Sequence, residues 1–554
     1  MLICKKKKSE NKEQEMKHIF YNGTIYTGEE GFAEAFIEED GKFVFVGTSQ
    51  AALAQVSVGD TWVDLKGAFV CPGFNDSHMH LLGLGKMLNQ AMLSEHTESL
   101  EDVLACMRAF EGTAEDSGLW LIGRGWNQDF FSDVDRMPNR YDLDQVSTER
   151  PISITRACGH CLVVNSKALE LLGITEDTPS PEGGVIGKEN GVLDGRLYDN
   201  AMDLVSAALP APSKEELKMY LRTAIKKLNS YGVTSCQADD YCVFLNVAPE
   251  TINEAYRELE ADGELTVRVY EQSNLTTVEA LEKFIAAGNV TGTGSDYFKM
   301  GPLKMLGDGA LGARTAFLKE PYADDNSTCG IPVFTKKQFE DMIGVANANG
   351  MQVAVHTIGD ACLDWVLEAI EKALKENPRD DHRHGIVHCQ ITRPDQLEKI
   401  KELNLHVYAQ TIFLDYDIHI VEARVGKELA STSYCWKTLM KNGVSVSNGS
   451  DCPVELPDVM AGIQCAVTRK PLKDVEGKFV YLPEEAFTMK EALDSYTIRG
   501  AEGSFEEDVK GKIEEGMLAD FVVLGANPFE TDVNCLKDIA IKEVYVGGRK
   551  VYEE

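Results

Sequence analysis

The sequence predicts an α/β protein. It reads as a (β/α)8 TIM-like barrel, with a small β-sandwich domain formed by both termini and a large insertion after barrel strand 1. Three observations predict this. Eight short apolar runs alternate with helical stretches through the centre of the chain. Strand-like runs broken by turns stand at both ends. The gap between the first and second central strands is far too long for a βα loop.

Taken in order, residues 1–16 begin with a basic run and stay charged, and they read as a disordered tail. Residues 17–72 hold short apolar runs. Asn22-Gly23 and Asp40-Gly41 between them are hairpin signals. The style returns in 505–554, so 17–72 plus 505–554 form the expected small β domain. The barrel then occupies 73–504, with the insertion at about 84–205. Its strands are expected to end at His78, then over 233–237, 266–270, 298–306, 352–357, 385–389, 406–410 and 444–448. Ser213/Glu216, Thr335/Gln338 and Thr488/Glu491 are capping boxes that open three of the helices.

Composition narrows the function. The chain has 554 residues and a net charge of −34, which disfavours nucleic acid. No apolar run reaches the ~18 residues of a membrane span, and the basic N-terminus lacks the apolar segment of a signal peptide. Fourteen scattered cysteines fit reduced, cytoplasmic thiols. Cys158-Gly-His160-Cys161 has redox spacing, but no thioredoxin-like unit surrounds it, so a packing or pocket role is expected. The expected partner is a small-molecule substrate, without nucleic acid or membrane; the oligomeric state stays open, a homodimer included.

Barrel enzymes build their sites at the C-terminal ends of the strands. His78 and His80 end the first strand, and alternation points both imidazoles one way. The fourth strand carries Lys304, the fifth His356, the sixth His388 and the eighth Asp451. Imidazole and carboxylate are ligands for zinc and similar ions. A second pair, His382 and His384, precedes its strand and would lie at the wrong end of the barrel.

This order of motifs resembles the amidohydrolase superfamily of metal-dependent hydrolases, in the large-insertion branch of amidohydrolase family 3 that includes N-substituted formamide deformylase and the YtcJ-like proteins. Pro72-Gly73-Phe74-x-Asp76-x-His78-x-His80 matches its opening motif. Lys304-x-x-x-Asp308-Gly309, His356-x-Ile-Gly359-Asp360 and Gly449-Ser450-Asp451-x-Pro453 match later ones, and Gly516-x-x-Ala519-Asp520 matches the return to the β domain. The likeness runs from about Ile19 to Val551, and includes Asn165-Ser166 and Pro138-x-Arg140 in the insertion.

The resemblance implies a divalent-metal centre, by default two zinc ions. His78 and His80 would hold one ion, His356 and His388 the other, with Lys304 bridging them as a carboxylated lysine. A plain Lys304 ammonium beside a single ion is the alternative. Asp451 would be both ligand and general base, serving a metal-activated water. His160 is a catalytic candidate that could donate to the substrate carbonyl, or a structural residue. Trp126, Asp308, Arg314 and Arg469 are substrate-binding candidates. Core packing explains Trp126 as well, and a surface salt bridge explains Arg469 as well. The expected reaction is hydrolysis of a C–N bond in an N-acyl or N-formyl amine. A cyclic amide, ester or lactone hydrolase is the alternative on the same site. A deaminase fits less well because no Glu accompanies His356, and a non-enzymatic binding protein fits least because the ligand set is intact.

Overall fold

The structure, a computed structural model, describes residues 17–113, 120–157, 160–181, 183–474 and 476–554. The expected tail, 1–16, and Cys158 lie outside the described residues. Two compact units divide the chain: residues up to Gly83 together with Ile225–Glu554, and Leu84–Ala224.

In the first unit eight parallel strands follow one another in a single sheet. They are β1 (Phe74–Met79), β2 (Val233–Ala238), β3 (Arg268–Asn274), β4 (Phe298–Leu306), β5 (Val353–Thr357), β6 (Gly385–His388), β7 (His406–Ala409) and β8 (Val446–Asn448). Each pairs with its successor in chain order, as a βα barrel requires. The last gap, between β8 and β1, closes through the loop after β8. Asp451 N–H donates to the His78 carbonyl (2.8 Å) and His80 N–H to the Cys452 carbonyl (2.7 Å). Buried Asp76 reinforces this seam by accepting from the Ser450 N–H (3.0 Å) and hydroxyl (2.5 Å).

The three expected capping boxes are present. Ser213 and Glu216 exchange bonds at 2.8 and 3.3 Å, and the Thr335/Gln338 and Thr488/Glu491 boxes open Lys336–Ala348 and Met489–Ser495. Helix Asp360–Glu376 shows the amphipathic logic: Leu363, Val366, Leu367, Ile370 and Ala373 recur at helical spacing and are buried.

Strands from both termini build two further sheets. Ala35–Glu39 and Lys42–Gly47 form a hairpin whose turn residues, Asp40 (φ 53°) and Gly41 (φ 78°), are both left-handed, as a two-residue primed turn demands. Asn22-Gly23 behaves differently. It joins His18–Tyr21 to Thr24–Tyr26, which belong to separate sheets, so it makes a crossing rather than a hairpin. The local turn chemistry is satisfied (Asn22 φ 60°), but pairing partners from elsewhere in the chain decide the rest. Phe20, Phe36, Phe43, Phe521 and Tyr545 fill the core between these sheets.

The second unit contains a six-stranded sheet in the order Gly184–Glu189, Val192–Asp199, Cys161–Val164, Ile152–Arg156, Leu121–Trp126, Ala91–Met92. One apolar cluster includes Leu100, Val103 and Met107 of helix Leu100–Thr113 with Trp126 and Ile154; another joins Leu162 and Val164 to Leu169 and Leu197.

Candidate metal centre

Every barrel strand sends a polar side chain to one end of the barrel. His78, Gln272, Lys304, His356 and His388 lie within their strands, and His80, Asp239, Gln410 and Asp451 follow theirs. Ring centroids of His78 lie 5.5 Å from His80 and 5.6 Å from His388, and His356 lies 4.4 Å from His388. Five of the six expected metal residues are thereby linked, since Asp451 Oδ1 sits 3.3 and 3.2 Å from Nε2 of His78 and His80. The sixth, Lys304, is buried with its Nζ 3.2 Å from Asp239 Oδ2.

The hydrogen bonds fix which ring nitrogens face inward. His78 Nδ1–H donates to Gln272 Oε1 (2.7 Å), His80 Nδ1–H to the Asp239 carbonyl (2.6 Å) and His388 Nδ1–H to Gln410 Oε1 (2.7 Å). This tautomer assignment follows from the partners, which are pure acceptors. Each imidazole is left with a bare Nε2 lone pair, the arrangement in which outer hydrogen bonds aim metal ligands. His356 reverses the pattern, with Nε2 facing the Gly309 carbonyl at 3.3 Å.

The donor set fits a cation. Nε2 of His78 and of His80 and Asp451 Oδ1 meet, and Asp451 Oδ1 is buried without a hydrogen-bond partner among the described residues. Such crowding of acceptors is relieved by a proton or by a metal ion. The proton response is visible at His80. Burial would lower its pKa, but contact with Asp451 and Cys242 outweighs it and raises the group well above its usual range. Asp451 is held well below the carboxylate range, burial notwithstanding, by the two imidazoles. Burial, then Lys304, depresses His78 and takes His356 to about 3, while burial and His356 depress His388, so these rings are neutral and able to ligate.

Backbone strain aims the set. His388 (φ 74°), Cys389 (φ 51°) and Asp451 (φ 55°) are left-handed without being glycine. Such residues cost roughly 1–3 kcal/mol each and persist where surroundings over-determine them. Here Trp436 Nε1–H donates to the His388 carbonyl (3.0 Å) and Cys389 N–H to the Thr357 carbonyl (3.1 Å).

The other expected site residues are placed differently. Trp126 is fully buried in the core of the second unit, its Nε1–H given to the Ile154 carbonyl (3.1 Å), so its ring offers no face to a substrate. Asp308 is fully buried too. Its oxygens accept from Ile358 (3.0 Å), Gly359 (2.8 Å) and Phe317 (2.8 Å), so it ties the loop after β4 to that after β5 beneath His356 rather than binding substrate. Arg314 is committed to Asp324 through bonds of 3.1 and 2.8 Å. Arg469 is 1% exposed and donates to the Tyr481 and Tyr434 carbonyls, so it makes no surface salt bridge. His160, in the second unit, is exposed, with Nδ1 3.0 Å from Asp199. His382 and His384 are buried, and His384 accepts from Val353 N–H at the start of β5, the end remote from the site. Cys161 is buried in the apolar core of the second unit, in keeping with packing.

Gln272 and Gln410 were missed because only His, Lys and Asp at strand ends were read, and Asp239, directly after β2, was passed over. Their signal was position alone: each stands at the end of a barrel strand.

Comparison with known proteins bears on the same residues. The model of the amidohydrolase family, Amidohydro_3, matches residues 61–552. The chain belongs to the amidohydrolase family. YtcJ of Bacillus subtilis (strain 168), which carries an amidohydrolase name, is 36% identical over 97% of this chain and 100% of its own. N-substituted formamide deformylase of Arthrobacter pascens is 24% identical over 94% of this chain and 95% of its own. An uncharacterized metal-dependent hydrolase from Pyrococcus furiosus superposes with a TM-score of 0.76 at 31% identity, covering 93% of this chain and all of that one. Family membership makes this chain a hydrolase, and the His/Asp set is that of a divalent-metal site. Among the described residues no helix is long and apolar enough to cross a membrane.

Proposed function

We propose that the protein hydrolyses a carbon–nitrogen bond of amide type outside peptides, most simply in an N-acyl or N-formyl amine. The observation that carries this is the meeting of His78 Nε2, His80 Nε2 and Asp451 Oδ1 at one end of the barrel. The formamide-acting relative favours an amide over an ester.

His78, His80, His356, His388 and Asp451 would hold two divalent ions, zinc by default, and a carboxylated Lys304 would bridge them. Bound metal supplies Lewis-acid polarisation of the carbonyl and a water whose pKa falls to about 7. The chain's own residues do the rest. Gln272, Gln410 and the Asp239 carbonyl keep three imidazoles in the ligating tautomer. Asp451 takes the proton of the attacking water and passes it to the leaving nitrogen. Contact with the His78 and His80 imidazoles holds the carboxylate ionised, and its strained backbone aims it.

A second reading keeps Lys304 as an ammonium paired with Asp239 beside one ion; the 3.2 Å contact favours it. A carbamate signal in 13C spectra after incubation with labelled bicarbonate separates the two. For the reaction itself, the metal-loaded protein is screened on N-acyl amines, dipeptides, lactams and esters. Preferential hydrolysis of N-acyl or N-formyl amines is expected. Turnover confined to esters or lactams contradicts the proposal.

A further inference from the structure

Leu306, the last residue of β4, is an apolar side chain in a polar place. Lys304, two residues earlier, shares its face of the strand. That face is the barrel interior. Lys304 pairs in register with Ala354, and His356 with Val387, and Ala354 and Val387 pack with Tyr408 in one buried cluster. Leu306 is itself the register partner of His356, and the Gly307 N–H donates to the His356 carbonyl (3.1 Å). Leu306 thus stands in the layer of His356, one step above Lys304 on the axis side. Lys304 is 2% exposed and Leu306 44%. An axis-facing side chain at a strand end is that open only where the mouth of the barrel gives onto solvent.

The neighbouring imidazole carries a second apolar group. The rings of His356 and His388 lie 4.4 Å apart, and the half-buried Phe413 ring lies parallel to that of His388 (centroids 6.0 Å apart, 16° between planes). Phe413 ends the turn Thr411–Phe413, directly after Gln410, which accepts from His388 Nδ1. Contacts therefore run without a break from Leu306 through His356 and His388 to Phe413. A lone leucine on an outer surface needs no explanation. Apolar groups against two candidate ligands, at the open end of a barrel, are the lining of a ligand pocket. Their side of the mouth is set by topology. In a ring of eight strands β4 stands opposite β8, so Leu306 faces Asp451 across the opening.

We propose that Leu306 and Phe413 are specificity-determining residues that form the apolar wall of an acyl subsite, so that the substrate is an amine acylated by an apolar chain. The proposal rests on the amide-hydrolysis reading above and adds the class of the acyl group. On that reading Asp451 delivers a proton to the leaving nitrogen. The amine then lies on the Asp451 side, and the acyl chain points across the mouth towards Leu306. An acyl chain ending in a carboxylate is the weaker occupant. Neither side chain offers it a donor, and the net charge of −34 repels anions at long range.

The test uses the full, metal-loaded chain and four amides of benzylamine: acetyl, butanoyl, hexanoyl and succinyl. Full burial of a methylene is worth about fourfold. With one side of the chain left open, kcat/KM should rise by at least about tenfold from acetyl to hexanoyl, and butanoyl should exceed succinyl. Leu306→Ser and Phe413→Ala should each shrink the hexanoyl-to-acetyl ratio. The ratio is taken within one variant, so altered folding or metal content cancels. A readout independent of turnover is the affinity of two metal-binding probes, hexanohydroxamate and acetohydroxamate. The longer should bind more tightly to the parent, and the difference should shrink in both variants. A flat acetyl-to-hexanoyl series, or a chain-length preference that survives both substitutions, overturns the subsite. If none of the four amides is hydrolysed, the amide reading fails, and the hydroxamate ratio alone decides the wall.

Discussion

Replacing Gln272 by methionine keeps the side-chain volume and removes the acceptor for His78 together with the donor to Ser77. In the parent, Gln272 Oε1 takes the Nδ1–H of His78 at 2.7 Å while its Nε2–H is given to the Ser77 carbonyl at 3.1 Å. His78 is 1% exposed, so water cannot replace the lost partner. A buried donor left unsatisfied costs about 1–3 kcal/mol. Outer partners of metal-bound histidines change metal affinity about 10–100-fold, which is about 1.4–2.8 kcal/mol at tenfold per 1.4 kcal/mol. The two routes agree. The assay is competition between protein and a chromophoric chelator for zinc. Gln272→Met should bind zinc about 10–100-fold more weakly, with the fold retained. Gln272→Glu, which restores an acceptor, should recover most of the loss. Unchanged affinity in Gln272→Met would refute the tautomer scheme, because His78 would then need no fixed Nδ1–H.

Metal affinity should also fall as pH is lowered from about 8 to 6, since His80 holds a proton tightly in the metal-free centre and must release it to bind; pH-independent zinc affinity contradicts this. Glu506 is buried between Lys299 (2.7 Å) and Lys510 (2.6 Å); burial raises its pKa, but the two ammonium groups outweigh that and hold it at about 2 against an ordinary 4.5. Its contribution to stability is therefore complete above pH 4.5 and lost as pH falls towards 2. Glu506→Gln should cost about 3 kcal/mol near pH 7 and flatten the acid limb of a denaturation profile, whereas a parent-like acid limb would discount the pair. Trp126→Ala should destabilise the Leu84–Ala224 unit by about 3–5 kcal/mol in urea unfolding; a large loss of kcat/KM with stability intact would instead return the ring to a substrate pocket.

The barrel was legible because its physics is repetitive. Apolar runs ending in polar residues mark strand ends, and β4 occupies 298–306 as read, while β8 starts at Val446, two residues later than expected. The candidate His and Asp ligands were legible because these side chains are rare at such positions without a task. Gln272 and Gln410 were not, since an amide in a strand carries no chemistry until its partner is known. Arg469 misled for a related reason. Its helix-end position looks accessible in sequence, yet left-handed backbone (φ 55°) turns the guanidinium inward onto two carbonyls. Asn22-Gly23 carried the correct turn signal and the wrong pairing, because which strands meet is a long-range property.

The central claim is that residues from the ends of β1, β5, β6 and β8 act as one metal centre. The most direct measurement is metal content per chain after purification and dialysis, for the parent and for His78→Asn, His356→Asn and Asp451→Asn. The account predicts about two ions in the parent, reduced in each variant. A parent that retains no divalent metal, or variants that bind it as the parent does, would contradict it.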